Sequence, residues 1–301
     1  MDIKSRRFKA VDLLLMTLTV LPLLGAMVLK ILFTPATEGI TISGALVYFT
    51  VPMPLQDLPI TEAQVNSFFV VLTILGLCLY LTHGVRAGVR TKRQALAEWA
   101  VETVDRMVHE NMGEYFVAFG PFIAAVLALS ALSSLLSLLG LFAPTSDVNI
   151  VAGWAILVFI LITHYKLKGG LLNYAKSFTE PIVFLLPLNI LGEVATPISM
   201  AFRHYGNVLS GSVIAVLISA ALAGLSNLLL GWIPGVVGEI PLLRIGLPAV
   251  LSMYFDIFSG CMQAYIFAML TMLNVAGAFP QDLYEQRKRR KMEKKAQKAK
   301  A

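Results

Sequence analysis

The feature that most constrains this chain is a set of six apolar runs, each close to or beyond the length of a membrane-crossing helix. The runs cover residues 10–33, 65–83, 115–142, 149–165, 182–233 and 247–275. A transmembrane helix needs about 20 apolar residues, because the hydrocarbon core is about 30 Å thick. Soluble domains carry roughly 25% charged residues, whereas this chain carries 14%. The sequence therefore predicts an all-α integral membrane protein with about six transmembrane helices.

The basic residues set the predicted orientation, because loops rich in Lys and Arg stay in the cytoplasm. If the N-terminus is inside, the inner segments are 1–9, 84–114, 166–181 and 276–301. These segments contain every Lys and Arg except Lys30, Arg203 and Arg244. The outer segments 34–64 and 143–148 contain acidic residues and neither Lys nor Arg. We therefore expect a multi-pass protein of a bacterial cell membrane with both termini in the cytoplasm, ending in a basic tail over 276–301.

The N-terminal part, residues 1–64, is predicted to be a separate unit that contains the first span and an outer segment. Its beginning, "KSRRFK" followed by an apolar stretch, also resembles a secretory signal peptide. The apolar stretch is long, however, and no A-x-A cleavage motif follows it. A retained transmembrane span is therefore the preferred interpretation.

Residues 92–113 are predicted to form an amphipathic surface helix. One face of this helix would carry Ala97, Val101, Val104 and Val108, and the other Glu98, Glu102, Asp105 and His109. Such a helix can lie on the inner membrane surface. The alternative is a solvated helix packed on the protein's own loops.

The fifth apolar run is too long for one upright helix. Residues 182–233 would extend roughly 75 Å at about 1.5 Å per residue, against a core of about 30 Å. The run therefore either breaks, at Pro187, Pro197 or near Gly224, or forms a strongly tilted helix.

Polar residues of the fifth run recur on one side of the predicted helix. They are Asn189, Glu193, Thr196, Arg203, Asn207 and Ser210. Gly206 and Gly211 accompany them, and small residues let another helix approach closely. The sixth run carries a similar column, formed by Ser252, Asp256, Ser259 and Gln263.

Arg203 is the residue that most needs an explanation, because a charge at bilayer depth costs at least ~2.5–3.5 kcal/mol. One interpretation is a structural ion pair with Glu193 or Asp256 that fixes helix packing. Glu193 is ten positions away, roughly 15 Å along a continuous helix, which is too far for a close pair. The alternative is a partner on another protein that is present only intermittently. Arginine suits that role because its pKa, above about 12, keeps it cationic when it is desolvated.

Two segments resemble subunit a of the membrane sector of F-type ATP synthases. They are "PLNILGEVATPISMAFRHYGNVLSG" and "SGCMQAYIFAMLTML", within a similarity that covers residues 65–275. The resemblance implies that these residues form an ion-translocating domain whose last two helices make a long tilted hairpin against a ring of c subunits. It also implies that Arg203 is the essential ion-transfer arginine, that Gln263 faces it, and that Asn207 belongs to the same site. Two aqueous half-channels would connect ring carboxylates to the two sides of the membrane.

The chain departs from the family pattern at two places. Ser212 stands nine residues after Arg203, where many members have a glutamate, and Asp256 stands where some have a histidine. We therefore expect Asp256 to act as the relay acid of the outer half-channel, with a structural pair to Arg203 as the rival interpretation. The other residues predicted for the ion pathway are Glu193 on the inner side, Asp147, Ser210, Ser212 and Ser259. Asp147 is also a candidate N-cap for the fourth span.

The remaining patterns bear on the class of function. The chain has no glycine-rich phosphate loop of the Walker type, so we expect a non-catalytic subunit that binds no nucleotide, no nucleic acid and no cofactor and translocates H⁺ or Na⁺. The expected partners are the c ring, the b-subunit peripheral stalk, the rest of the ATP synthase and membrane lipid. The four His and two Cys show no metal-ligand spacing and are predicted to be mainly packing residues. The rival functions are a secondary transporter with an Arg/Asp substrate site and a membrane scaffold without transport.

Overall fold

The fold is almost entirely helical. The computed structural model describes residues 3–34, 44–54, 56–85, 91–179, 182–230, 246, 250–251, 253–282, 284–286 and 289. The helices are α1 (Ile3–Phe33), α2 (Glu62–Thr82), α3 (Lys92–Met112), α4 (Gly120–Leu135), α5 (Val148–Lys168), α6 (Leu171–Ser177), α7 (Leu186–Leu230) and α8 (Gly260–Gly277). Short 3-10 turns lie at Glu114–Phe119, Leu136–Leu139, Pro144–Ser146 and Val183–Leu185, and a π-helical turn lies at Met253–Ser259.

Six stretches are long and apolar enough to cross a membrane, which confirms the predicted fold class. They are Lys9–Phe33, Glu62–Thr82, Glu114–Leu139, Val148–Lys168, Val183–Leu229 and Met253–Gly277. Many of their large apolar side chains remain exposed on this chain, as expected for surfaces that face lipid or a partner subunit. One small element was not predicted, an antiparallel pair of strands, β1 (Val47–Val51) and β2 (Leu58–Thr61), in the outer segment.

The first two helices pack closely along each other. A methyl group built on Gly76 of α2 would lie 2.8 Å from the backbone nitrogen of Thr19 in α1, so only glycine fits there. Helix α2 begins with a capping arrangement in which the Thr61 backbone N–H donates to Gln64 Oε1 at 3.3 Å.

The predicted amphipathic helix is α3. It begins at Thr91, whose hydroxyl accepts from the Gln94 backbone N–H at 3.2 Å, and it ends at Gly113, whose φ of 79° suits glycine. Val108 and Met112 are buried. Val101, assigned to the same apolar face, is instead 59% exposed. The C-terminal half of α3 therefore packs on other helices of the protein, and its position on the inner membrane surface stays a prediction.

One buried cluster joins α3, α4, α5, α7 and α8. Its members are Val108, Met112, Phe116, Ile123, Val158, Ile162, Met200, Phe267, Ala268, Met272, Val275 and Phe279. Because these residues alternate with exposed ones along each helix, every helix turns one stripe toward the cluster and leaves the rest of its surface outside.

The fifth run forms one helix, because α7 continues for 45 residues with Pro197 inside it. A break at Pro187, Pro197 or Gly224 does not occur, since all three lie in helical backbone. Proline is tolerated in membrane helices when neighbouring groups satisfy the freed backbone, and Pro197 is buried against neighbours.

The last two membrane-spanning stretches form an antiparallel hairpin, as predicted. Asn207 contacts Gln263, and Gly211, one turn later on α7, packs against Phe255, eight residues earlier. The π-helical turn Met253–Ser259 precedes α8 and departs from the uniform helix assumed for the polar column of the sixth run. Ser252 of that column, Arg244 and most of the basic tail lie outside the described residues.

Candidate functional site

Arg203 lies near the middle of α7 with its side chain exposed on the surface of this chain. Within the part of the chain that the structure describes, no ion pair reaches its guanidinium. Neither acid suggested as a structural partner pairs with it. Two nearby residues on the opposite side of α7, Ala201 and His204, are buried. One side of α7 is therefore fixed inside the protein while the arginine points away from it.

Asn207 and Gln263 connect the two helices of the hairpin. The Asn207 side-chain amide donates to Gln263 Oε1 at 2.7 Å. Gln263 is only 2% exposed, whereas Asn207 is exposed. Because Asn207 follows Arg203 by one helical turn, this bond fixes the rotation of α7 beside the arginine.

Glu193 forms an ion pair that the sequence did not predict. Its Oε1 lies 3.0 Å from Lys166 Nζ of α5 and accepts a 3.0 Å hydrogen bond from the Tyr174 hydroxyl of α6. Burial, and then the bond to Glu193, raises the pKa of Tyr174 above its usual value. The carboxylate is therefore held at the junction of three helices and points away from Arg203, which is about 15 Å farther along α7.

A polar cavity of about 750 Å³ opens beside this ion pair. It is lined by Lys166, Asn173, Tyr174, Lys176, Ser177, Phe178, Asn189, Gly192, Glu193, Thr196, Gly277, Ala278 and Pro280. Three members of the polar stripe of α7, Asn189, Glu193 and Thr196, share this wall. Thr196 is seven residues before Arg203, so the cavity ends about 10 Å short of the arginine along the helix axis.

Asp256 lies in the π-helical turn and is partly buried. Ser137, at the end of α4, lies near this carboxylate, and its hydroxyl donates to the Ser134 carbonyl at 2.7 Å. A π turn changes the angular spacing of residues, so α-helical geometry does not fix the direction of Asp256 relative to Gln263. Such turns are frequent at functional sites in membrane and soluble helices.

The hairpin packs closely against the end of α4. A methyl group built on Gly260 would lie 2.8 Å from Ser134 Cβ, and one on Gly211 would lie 3.0 Å from Phe255. Gly206 differs, because a methyl group there would meet nothing within 4 Å. Gly211 is therefore used for packing within the chain, while the side of α7 at Gly206 is open.

The serines predicted for the ion pathway do not converge on one point. Ser210 donates to the Asn207 carbonyl at 3.2 Å and Ser212 to the Leu209 carbonyl at 2.8 Å, and both are exposed. Ser259 is partly buried in the π turn. The hydroxyls of Ser210 and Ser212 thus bond to their own helix, and among the described residues neither is hydrogen-bonded to Asp256.

Asp147 is the N-cap of α5. Its Oδ1 accepts from the Asn149 backbone N–H at 2.9 Å, which satisfies one of the free donors at the helix start. Two residues earlier, the buried hydroxyl of Thr145 shares a 3.2 Å hydrogen bond with Ser134. The 3-10 turn between α4 and α5 is therefore tied to both helices.

His204 occupies a buried position that sequence reasoning assigned to packing or to a polar contact. Its Nε2 lies 3.3 Å from the Ser130 hydroxyl of α4, and its ring lies edge-on to Trp154 and Phe267. Both parts of that prediction are confirmed. The signal that could have located the partner is the run of serines in "LSALSSLLS", since Ser130, Ser133 and Ser134 are all buried.

The described residues contain no group of three or more His, Cys, Asp or Glu side chains that could hold a metal ion. Cys78 and Cys261 are free thiols, but both are exposed on this chain. The prediction that they serve as small packing residues is therefore wrong for this chain alone. Both cysteines lie in apolar runs, and the spacing of apolar residues in such a run does not show which side of the helix faces the core.

Comparison with known proteins gives one family. The family model described as "ATP synthase A chain" matches residues 65–275. "ATP synthase subunit a" of Acidothermus cellulolyticus is 30% identical over 228 residues, which are 72% of this chain and 76% of that protein. The protein of the same name from Bacillus subtilis is 29% identical over 71% of this chain and 88% of its own length. "ATP synthase subunit a, sodium ion specific" of Propionigenium modestum is 24% identical over 79% of this chain and 86% of its own length.

Proposed function

Because this chain belongs to the ATP synthase A chain family, we propose that it carries ions between two aqueous half-channels and the carboxylates of a rotating c ring. The chain is a non-catalytic, multi-pass membrane subunit of the F-type ATP synthase. In this role Arg203 forces each ring carboxylate to release its ion, and the resulting rotation couples ion flow to ATP synthesis elsewhere in the complex.

The observation that carries the proposal is the unpaired state of Arg203 within the described residues. A guanidinium at bilayer depth is costly unless an acid neutralises it, and Glu193 is already paired with Lys166. We assign the partner of Arg203 to an acid on a neighbouring subunit. The open side of α7 at Gly206 gives a second helix room to approach beside the arginine.

Ion release follows from the charge of Arg203. A ring carboxylate that arrives neutral has a lower pKa near an opposite charge, by about one to three units, so it gives up its ion beside the guanidinium. Arginine keeps its own proton even when it is desolvated, so it also repels cations that would pass directly between the two half-channels. Asn207 and Gln263 support this step by holding α7 and α8 at a fixed rotation.

The inner half-channel is assigned to the polar cavity beside Glu193. Its volume of about 750 Å³ and its polar lining allow water to reach Thr196, within about two turns of Arg203. Glu193 provides the acid and Lys166 holds it in place. The cavity lies next to the ends of α5 and α8, which the charge pattern assigns to the cytoplasm.

The outer half-channel is assigned to the region around Asp256. This acid stands in the π turn near Ser137, and Ser259 belongs to the same turn. We assign Ser212, on α7, to the same half-channel. Asp147 lies near the outer mouth in this arrangement, in addition to capping α5. The translocated ion is H⁺ or Na⁺; the relative from Propionigenium modestum is named as sodium ion specific.

The test is ATP-driven ion pumping by inverted membrane vesicles that contain the complete ATP synthase. Arg203→Ala is expected to abolish pumping while ATP hydrolysis by the soluble sector continues. Arg203→Lys is expected to retain little activity, because a desolvated lysine can lose its proton. Arg106→Ala, in the exposed face of α3, is the matched control. Coupled pumping by Arg203→Ala vesicles would exclude the proposal, and copurification of c and b subunits with this chain tests the partners.

A further inference from the structure

The N-terminal helix α1 lies outside the region that the family model matches, yet ion pairs join both of its ends to the rest of the chain. Near one end, Asp12 Oδ1 lies 2.9 Å from Arg93 Nη1 at the start of α3. Near the other end, Lys30 Nζ lies 3.3 Å from Glu62 Oε1 at the start of α2. Helix α1 is therefore fixed to the inner and the outer ends of its neighbours.

The two ion pairs differ in burial. The side chains of Asp12 and Arg93 are 24% and 27% exposed, so solvent reaches both members of this pair and partly screens it. The Glu62 side chain is only 2% exposed. A buried carboxylate is tolerated only when it is paired, and removing its partner is strongly destabilising. Lys30 is thus the residue that allows Glu62 to be charged at this position.

Glu62 has a second contact, which reaches the segment between α4 and α5. The backbone N–H of Phe142 donates to Glu62 Oε1 at 3.1 Å. One turn along α2, the Asn66 amide donates to the Phe142 carbonyl at 2.9 Å. Both polar groups of the Phe142 backbone are therefore held by side chains of α2, which fixes the start of the segment Phe142–Asp147.

This segment forms part of the wall beside the sixth run. Thr145 is buried and bonded to Ser134 at 3.2 Å. Ser134 in turn meets Gly260 so closely that no side chain fits between them. A shift of the segment would therefore disturb the contact between α4 and the π turn that carries Asp256.

We propose that Lys30 is a positioning residue of the outer half-channel: through Glu62 it holds the segment Phe142–Asp147 against α4. The assignment to a half-channel rests on the proposed function. The position of the segment, in contrast, can be measured independently of ion flow. Helix α1, although it lies outside the region that the family model matches, then contributes to the function of the subunit.

The first measurement uses a cysteine pair, Ser134→Cys with Thr145→Cys, in a chain with Cys78→Ser and Cys261→Ser and in the assembled complex in vesicles. The two native hydroxyls lie 3.2 Å apart, so oxidation is expected to join the cysteines rapidly. Adding Lys30→Met is expected to slow this reaction at least about tenfold, because the buried carboxylate loses its partner. Failure of the pair to form in the parent would contradict the position of the segment and overturn the inference.

Two double variants separate the contact to Phe142 from the ion pair itself. Lys30→Met with Glu62→Gln removes both charges but keeps an acceptor oxygen for Phe142, so the fast reaction should return. Lys30→Glu with Glu62→Lys keeps opposite charges, but a lysine ammonium cannot accept the Phe142 N–H, so the reaction should stay slow. Asp12→Asn is the control, since it removes the other ion pair of the same helix, at the start of α3 and away from Phe142, and should leave the reaction rate unchanged. A charge swap that reacts at the parent rate, or a control as slow as Lys30→Met, overturns the inference.

ATP-driven pumping is then compared in chains that keep Ser134 and Thr145. Lys30→Met should reduce pumping several-fold, and addition of Glu62→Gln should restore it. Slowed cysteine pairing with unchanged pumping would overturn the assignment to the half-channel, while pumping by Arg203→Ala would reject only the proposed function. If Lys30→Met does not accumulate in the membrane, the charge swap, which keeps an ion pair, decides the same two measurements.

Discussion

The side-chain amide of Asn207 donates a 2.7 Å hydrogen bond to Oε1 of Gln263, and it joins α7 to α8 one turn beyond Arg203. The acceptor is buried and the donor is exposed. The bond therefore connects the interior of the subunit with the surface on which Arg203 lies. A rotation of α7 that moved the arginine would have to break this bond. The bond therefore helps to fix the direction in which the Arg203 side chain projects.

The Asn207–Gln263 bond predicts strong coupling between the two residues. Gln263→Leu and Asn207→Leu should each lower ATP-driven pumping, because a lost partner leaves a polar group unsatisfied, a cost of about 1–3 kcal/mol. The double variant should lose less than the sum of the single losses. The measurement is a double-mutant cycle on pumping rates and on thermal unfolding of the complex. Asn111→Leu, whose amide bonds only within α3, is the control, and additive losses would contradict the coupling.

The Lys166–Glu193 ion pair predicts a charge-dependent inner half-channel. Lys166→Met and Glu193→Gln should each reduce pumping several-fold, since the first leaves the buried Glu193 carboxylate without its partner and the second removes the inner acid. The double variant removes both charges and should recover part of the lost stability, but it should still pump slowly because the inner acid is gone. Lys168→Met is the matched control two positions away, where the ammonium lies over the Tyr165 ring at 4.1 Å. Full pumping by Glu193→Gln would remove Glu193 from the ion path.

Asp256 is predicted to be the relay acid of the outer half-channel. Asp256→Asn should lower ATP-driven pumping by at least about tenfold, because an amide cannot take up and release a proton. Ser137→Ala should have a smaller effect, since it removes only a hydroxyl near the acid and leaves the carboxylate in place. Asp147→Asn keeps the cap of α5 and serves as the comparison. Undiminished pumping by Asp256→Asn vesicles would reject the relay.

Helix α1 is predicted to remain in the mature subunit. Removing it would leave the buried Glu62 carboxylate without Lys30, and burial of an unpaired charge is strongly unfavourable. The intact mass of the subunit purified from the complex should therefore include residues 10–33. A mass that begins after this segment would show that the segment acts as a signal peptide.

Much of the architecture could be predicted from the sequence because single helices leave a clear pattern. The six spans, the surface helix and the polar stripe of α7 all follow from the spacing of apolar and polar residues along one helix. The continuity of α7 through Pro197 could not be settled in this way. It depends on what satisfies the freed backbone groups, and those neighbours come from other parts of the chain.

The partners of the polar residues were beyond the reach of the sequence for the same reason. Lys166 was counted only as a basic residue near the cytoplasm, and its contact with Glu193 joins helices that a periodic pattern treats separately. The contact of Glu62 with Phe142 spans 80 positions. The π turn at Asp256 breaks the regular spacing on which its predicted column depended, so the column fails where the helix itself departs from α geometry.

The 45-residue length of α7 also determines how much the depth in the membrane changes from one residue of the helix to the next. The helix is roughly 67 Å long at about 1.5 Å per residue. Were its two ends at opposite faces of a core about 30 Å thick, each residue would descend only about 0.7 Å. One seven-residue repeat of the polar stripe would then change depth by roughly 5 Å, about half of what an upright helix gives. Such a shallow gradient keeps consecutive polar side chains of the stripe close to the depth of the arginine in the membrane.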